Sequence, residues 1–303
     1  MLAMNATVTA PSKAERIEMY RSASWPQRLA VHDAISACKR EAMDARRELG
    51  RRYLERHPGG AVVPYEKGSL ALDLAAETAA ARSEALALSQ GRPSQHESLS
   101  LQYPVLGQDF AADSEAIRFG LSPIVIAPIA RYFGMMPVLF NMFVTHAFKT
   151  EFNPTSPHAF HLDPEDTISF KVFVHLTDVT RESGPFHTLA ADATDKVLRT
   201  VGYQGVQYIS DQQVAELVGW ENVTEFTGPK GSVALADTTR CLHFGGRPRT
   251  ADQGVRSMLV YQYLLPTSLL FPIGGDSKHP RFLPQLEARG DDEWDALIGA
   301  KFT

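Results

Sequence analysis

Helix-favouring runs fill the first third of the chain, and short apolar segments rich in Val, Phe, Tyr and Leu fill most of the remainder; the texture changes after Met135. From Ser12 the run SKAERIEMY has the S-x-x-E spacing of a capping box with Glu15, which predicts a helix start. Helix formers continue, interrupted at Pro26, to CKREAMDARRELGRRYLERHPGG, where Pro58 and two glycines stop them. The Ala- and Leu-rich stretch SLALDLAAETAAARSEALALSQG predicts a second helical run ending at Gly91, and the polar QGRPSQHESLS after it a loop. DSEAIRFGLS predicts a short third helix with Asp113 or Ser114 as its cap, and the Pro-punctuated segment that follows predicts short turns. Beyond it VLFNMFVTHAF, TISFKVFVHLTDV, GSVALAD and RSMLVYQYLL predict strands, and several such strands separated by turn signals suggest an antiparallel sandwich or barrel.

Composition narrows this picture. A chain of 303 residues that is 44% hydrophobic and 21% charged has the balance of a globular protein with a sizeable core. A formal net charge of −5 without a Lys/Arg cluster gives no footprint for nucleic acid or an anionic membrane, so a small-molecule or protein partner is expected, and a small-molecule substrate once the candidate chemistry below is added. Cys38 and Cys241 lack CxxC spacing, which argues against a disulfide framework or a thiolate zinc site and fits a reducing compartment. The N-terminus lacks the pattern of a secretory signal. The most apolar segment, residues 121–144, is broken by three prolines, Arg131, Gly134 and Asn141 and does not make a clean membrane span, so a cytoplasmic location is expected. No flexible linker divides the chain, which reads as one domain: residues 1–100 helical, about 101–275 the strand-rich catalytic core, and 276–303 a C-terminal tail. No segment specifies an oligomeric state.

The candidate chemistry lies in PHAFHLDPEDTISFKVFVHLTDV, residues 157–179. On extended chain, His161 and Asp163 point the same way with Leu162 opposite, so an imidazole and a carboxylate converge. GSVALADTTRCLHFGGRPR supplies a strand, a turn and then His243 ahead of a Gly-Gly pair that relieves crowding. Two histidines and a carboxylate on one face of a metal leave three positions open, which suits non-haem Fe(II) and oxygen. H-x-D alone is short and unspecific, and a surface turn pair would satisfy it equally well.

The ordered set around these residues is more specific. FHLDPEDTISFKVFVHLTDVTRESGPF and GPKGSVALADTTRCLHFGGRPRTADQGVRSMLVYQY together resemble the blocks of the phytanoyl-CoA dioxygenase-like Fe(II)/2-oxoglutarate oxygenases, over roughly residues 114–265. That resemblance implies a double-stranded β-helix, the jelly-roll or cupin-like barrel, mainly β and buttressed by N-terminal helices. It also implies iron on His161, Asp163 and His243, 2-oxoglutarate as cosubstrate with its far carboxylate on Arg256, and O2 as oxidant. A fixed guanidinium is a suitable two-pronged partner for such a carboxylate. Arg247 and Arg249 are nearer rivals but sit in a Gly- and Pro-flanked loop. Lys171, which shares a strand face with Phe173 and His175, is a candidate cosubstrate contact or a cap on the barrel edge. Asp166 and Asp237 are candidate hydrogen-bond partners of the ligating histidines, or turn formers. His158 is discounted as a ligand between Pro157 and Pro164, and Cys241 reads as a small buried thiol near the site. Where the family continues from Gly-Pro-Phe into a Pro-Gly-Ser-His turn, this chain has GPFHTLAADATDKV, and the substrate is not legible from the family. A non-oxidative zinc enzyme and a non-catalytic barrel that only binds remain open at this point. A carboxylate at 163 implies hydroxylation, desaturation or ring closure and argues against halogenation, which needs that position free for halide.

Overall fold

The computed structural model describes residues 18, 22–95, 97–98, 100–163, 169–204, 207–249, 256–268 and 283–301. The expected capping box at Ser12 and Glu15, and Asp166, lie outside them.

Two helices, α1 (Trp25–Cys38) and α2 (Arg40–Arg56), open the described chain. Pro26 begins α1 instead of interrupting a helix. It sits in the first turn, where its missing N–H loses no bond, and Gln27 Oε1 accepts from the Ser24 N–H at 2.7 Å to close a capping box. Met43, Arg46, Leu49, Gly50 and Tyr53 form the buried face of α2 at helical spacing.

Arg46 is wholly buried, and desolvation lowers its pKa to about 9. Its guanidinium donates to Met136 O (2.9 Å), Pro137 O (3.2 Å), Ala296 O (2.7 Å) and Lys301 O (3.2 Å), so one side chain ties α2 to two distant segments. Arg46→Met leaves several of these buried carbonyls without donors, at a cost of roughly 3 kcal/mol. A fall in Tm of about 5–10 °C in a thermal melt is the expected result, and an unchanged Tm would contradict this role.

The ten strands among the described residues are β1 (Ser69–Asp73), β2 (Glu97–Ser98), β3 (Leu101–Leu106), β4 (Val138–Ala147), β5 (Phe170–His175), β6 (Phe186–Leu189), β7 (Val223–Phe226), β8 (Ser232–Asp237), β9 (His243–Phe244) and β10 (Arg256–Leu264). Further helices are α3 (Ala79–Ser89), α4 (Glu115–Gly120), α5 (Pro123–Phe133), α6 (Ala191–Val201), α7 (Asp211–Val218) and α8 (Asp292–Leu297).

Two of these elements correct the sequence-based expectation. SLALD, expected as helix, is the edge strand β1, paired antiparallel to β8 from Ser69↔Ala236 to Asp73↔Ser232. Leu70 and Leu72 alternate with Ala71 and Asp73 and pack on the main core, so cross-strand pairing outweighs the helical propensity of Ala and Leu. The Pro-rich segment, expected as turns, is the continuous helix α5 with Pro123 at its start, Pro128 inside and Gly134 closing it in the left-handed conformation. Residues Val125–Ala130 are buried, and that packing offsets the backbone bond that Pro128 cannot make. The third helix starts as expected: Ser114 Oγ accepts from Ile117 N at 3.1 Å.

The strands form two antiparallel sheets, one of seven strands in the order β1-β8-β5-β10-β4-β3-β2 and one of three in the order β7-β6-β9. An isolated pairing, His161↔His243, extends the small sheet by one more segment. Pleat alternation then sorts each strand between two environments. Phe170, Val172 and Val174 of β5 and Leu259, Tyr261 and Tyr263 of β10 face α4 and α5 in the largest core. Their alternates face the small sheet: Phe143, Phe173, Met258 and Val260 meet Phe186 and Phe226 across the gap. Behind the small sheet, Phe160, Leu162, Leu189, Leu242 and Phe244 pack on Val197 and Leu198 of α6 and on Val214 of α7. The stretch Glu115–Phe133 is apolar and long enough to cross a membrane by composition, and here it packs against the large sheet.

Candidate metal centre

Between the two sheets lies a cavity of about 300 Å³. His161, Asp163 and His243 line it, and one donor atom from each lies within 4.8 Å of the others. All three are buried. The main chain sets this convergence: His161 N donates to His243 O (3.0 Å) and His243 N to His161 O (2.9 Å), so the two residues stand directly opposite each other. Asp163 N donates to Thr238 O at 3.1 Å and holds the carboxylate segment against the end of β8.

Each imidazole is oriented in the same way. His161 Nδ1 lies 3.0 Å from Ala159 O and His243 Nδ1 lies 3.0 Å from Cys241 O. A carbonyl oxygen only accepts, so each Nδ1 carries the proton and each Nε2 presents a lone pair, the tautomer a metal ligand requires. Burial, then the nearby His243, pull the pKa of His161 down to about 3, which keeps its ring neutral. At Asp163 burial alone would raise the pKa. Lys171, then His243 and His161, outweigh burial and hold the carboxyl well below the usual range. The group is ready as an anionic ligand without losing a proton first.

Lys171 Nζ lies 2.7 Å from Asp163 Oδ2, inside the cavity and not at a barrel edge. The Thr238 hydroxyl donates to the same oxygen. Asp163 Oδ1 lies 3.5 Å from His243 Nε2 on the other side. Arg256 lines the same cavity beside Gly245 and is 4% exposed; its Nε makes no hydrogen bond, and no carboxylate among the described residues pairs with it. Burial lowers its pKa to about 10, so it remains charged at neutral pH. The rival arginines are engaged elsewhere. Arg247 grips Asp211 through both terminal nitrogens (2.7 and 3.0 Å) and stacks 3.4 Å over Phe244, while Arg249 is largely exposed near Glu182.

Other sequence candidates fall outside the centre. Asp237 does not touch a ligating histidine: its Oδ1 accepts from the Thr239 hydroxyl (2.7 Å) and Arg240 N (3.1 Å), and its Oδ2 from the Tyr132 hydroxyl (3.1 Å), which makes it a turn-former. Cys241 Sγ turns to Lys67 O at 3.3 Å. His158 stacks on Phe152 and bonds Ser100 Oγ at 2.9 Å. Of the Gly-Gly pair, Gly246 needs its lack of a side chain: φ is +69°, and a Cβ would stand 2.5 Å from Ser100 Oγ. GPFHTLAADATDKV, where the family pattern departs, folds as β6 followed by α6, and Phe186 forms part of the cavity wall.

Thr238, which follows Asp237 in GSVALADTTRCLHF, carries no charge and no spacing signal that marks it as a partner of Asp163 in the sequence. Thr238→Val removes the hydroxyl from Asp163 while keeping the shape. A tenfold to hundredfold loss of metal affinity, on the order found for ligand-orienting partners, is expected by competition with a chelator. Thr238→Ser should restore it, and an affinity equal to wild type in the Val variant would rule out the role.

No protein-family model matches the chain, and no curated protein matches it. Among solved structures, the chain is similar to the epimerase SnoN in complex with Fe3+, alpha ketoglutarate and nogalamycin RO (18% identity, covering 77% of this chain and 94% of that one, TM-score 0.48). It is also similar to EctD from S. alaskensis with 2-oxoglutarate and 5-hydroxyectoine (16%, 72% and 79%, TM-score 0.49). A third similar structure is HygX from Streptomyces hygroscopicus with nickel and 2-oxoglutarate bound (15%, 66% and 83%, TM-score 0.43).

Proposed function

We propose that this chain is an Fe(II)/2-oxoglutarate-dependent oxygenase of the phytanoyl-CoA dioxygenase-like type, acting on a small molecule. The observation that carries the reading is the pairing, in one buried cavity, of a His-Asp-His cluster with an arginine that has no anionic partner of its own. An uncompensated buried cation is costly, and a dicarboxylate reaching from the metal ligands to Arg256 removes that cost. The winding of the chain supports a double-stranded β-helix: β4 lies in the large sheet, the His161 bridge in the small, β5 in the large, β6 and β7 in the small, then β8, β9 and β10 alternate.

The donor set fits iron: two imidazoles and one carboxylate, with room on the open side. When bound there, iron would supply oxygen activation coupled to decarboxylation of 2-oxoglutarate to succinate and carbon dioxide. The chain's own residues do the rest. His161 and His243 present Nε2, Lys171 and Thr238 fix the Asp163 carboxylate, and Arg256 fixes the far end of the cosubstrate. Phe143, Phe173, Phe186, Met258 and Val260 give the cavity apolar walls that limit water. Tyr103, Tyr208 and Pro157 also line the cavity. Asp163 fills the position a halide would need, so the product is hydroxylated, desaturated or cyclised; a chlorinated product formed by the wild type in chloride buffer would overturn that part.

Succinate formation from 2-oxoglutarate by protein loaded anaerobically with Fe(II), then exposed to oxygen, tests the whole reading. Dependence on both iron and oxygen is expected. Turnover that persists without oxygen would favour a zinc-type hydrolase or isomerase, and absence of any 2-oxoglutarate binding would favour a barrel that only binds.

A further inference from the structure

One buried polar side chain beside the cavity is used by nothing described so far. His175 is the last residue of β5 and is 1% exposed, yet neither ring nitrogen meets a hydrogen-bond partner of ordinary geometry. Buried groups of this kind are rare and call for an explanation. Its direction follows from the pleat. Lys171 and Phe173 line the cavity, and His175 is the next residue on that face. It pairs with Met258, another wall residue, across the β5–β10 ladder, so Arg256, two residues from Met258 on the same face, is its diagonal neighbour. The electrostatics agree with that proximity: burial first, then the Arg256 charge, hold the pKa of His175 down to about 4, against the Gly228 carbonyl. Two buried polar groups, Arg256 Nε with no hydrogen-bond partner and the His175 ring with none of ordinary geometry, are therefore diagonal neighbours, Arg256 in the cavity wall and His175 just behind it across from the wall residue Met258.

We propose that His175 is a second anchor for the far carboxylate of the dicarboxylate cosubstrate, donating a ring N–H beside the Arg256 guanidinium. The inference rests on the oxygenase reading and adds a residue to it. The guanidinium supplies the charge, and the neutral imidazole supplies a donor that brings no second cation into a buried site. The pair then discriminates by length: a keto acid that lacks the far carboxylate leaves both donors without an acceptor. His175 contacts the cosubstrate in this arrangement and does not touch the metal.

Calorimetric titration of Ni(II)-loaded full-length protein, which involves no turnover, separates the possibilities. The ligands are 2-oxoglutarate and 2-oxobutyrate, the second having the same metal-binding keto acid but no far carboxylate. In His175→Phe the Kd for 2-oxoglutarate is expected to rise about ten- to thirtyfold, the size of one hydrogen bond to a charged group, while that for 2-oxobutyrate stays within about twofold of wild type. His175→Gln, which keeps a donor, should recover most of the affinity, and the melting curves of both variants report whether the fold is intact. Unchanged 2-oxoglutarate affinity in His175→Phe overturns the proposal while leaving the oxygenase reading in place. Equal weakening of both ligands also overturns it, since that pattern marks a packing role. A wild-type protein that binds the two keto acids equally removes the oxygenase reading and this proposal with it.

Discussion

His161→Ala is expected to lower iron- and oxygen-dependent succinate formation to less than about a thousandth of the wild-type rate and to weaken metal binding by more than about a hundredfold. The reason lies in how little else could compensate. It belongs to a three-donor group whose atoms lie within 4.8 Å of one another, and no other histidine among the described residues joins that group: His158 is committed to Ser100 and His175 stands beside Arg256. The fold should persist, because His161 joins the small sheet through backbone bonds to His243 that an alanine keeps. A chelator competition, a coupled assay and a melting curve on the same preparation check the three parts. Wild-type turnover in the variant would remove His161 from the centre, whereas lost turnover with intact metal binding would assign it to substrate.

The second large effect is at Arg256, where binding and stability should move in opposite directions. Arg256→Met is expected to raise the KM for 2-oxoglutarate by about a hundredfold, as when one partner of a buried charged pair is removed, with metal affinity unchanged. The same substitution takes an unpaired guanidinium out of a 4%-exposed site. Replacing a buried ion with an apolar side chain of similar length is often neutral or stabilising, so Tm in the absence of cosubstrate should hold or rise by about 1–3 °C. A marked loss of Tm would show that the arginine is a structural fastener in the manner of Arg46. An unchanged KM would place the anion site elsewhere.

The parts of this molecule that could be read from residues alone are those governed by short-range alternation. The convergence of His161 and Asp163, the two faces of β5 and the strand character of 138–147, 170–175, 232–237 and 256–264 all follow from side chains alternating across an extended backbone. Elements decided by distant partners were not legible. Ser69–Asp73 is a strand because β8 lies beside it, and α5 survives Pro128 because its apolar face is buried. The partners of Asp163 illustrate the same limit. Lys171 lies eight residues on, and its face within β5 could be assigned, but its salt bridge to Asp163 joins two segments whose relative placement no local pattern specifies. Thr238 arrives from β8 and carries no local signal beyond its place in the family-like block. His175 was sorted to the correct face of its strand without any indication that its nitrogens would be left without partners.

The reciprocal backbone bonds between His161 and His243 have a consequence for how this chain can change length. Because the two residues share one rung of an antiparallel ladder, a single residue inserted or deleted within either short segment turns its imidazole to the opposite face, toward the apolar packing of Leu162, Leu242 and α6. Length changes in the loops that join the strands between the two segments carry no such penalty, since they leave both the rung and the strand registers untouched. Variation among descendants of this sequence should therefore accumulate as insertions in the interstrand loops between 164 and 240, with the segments 160–163 and 242–244 and the strands β5 and β8 kept free of gaps, so that the chain can change length without moving the ligands.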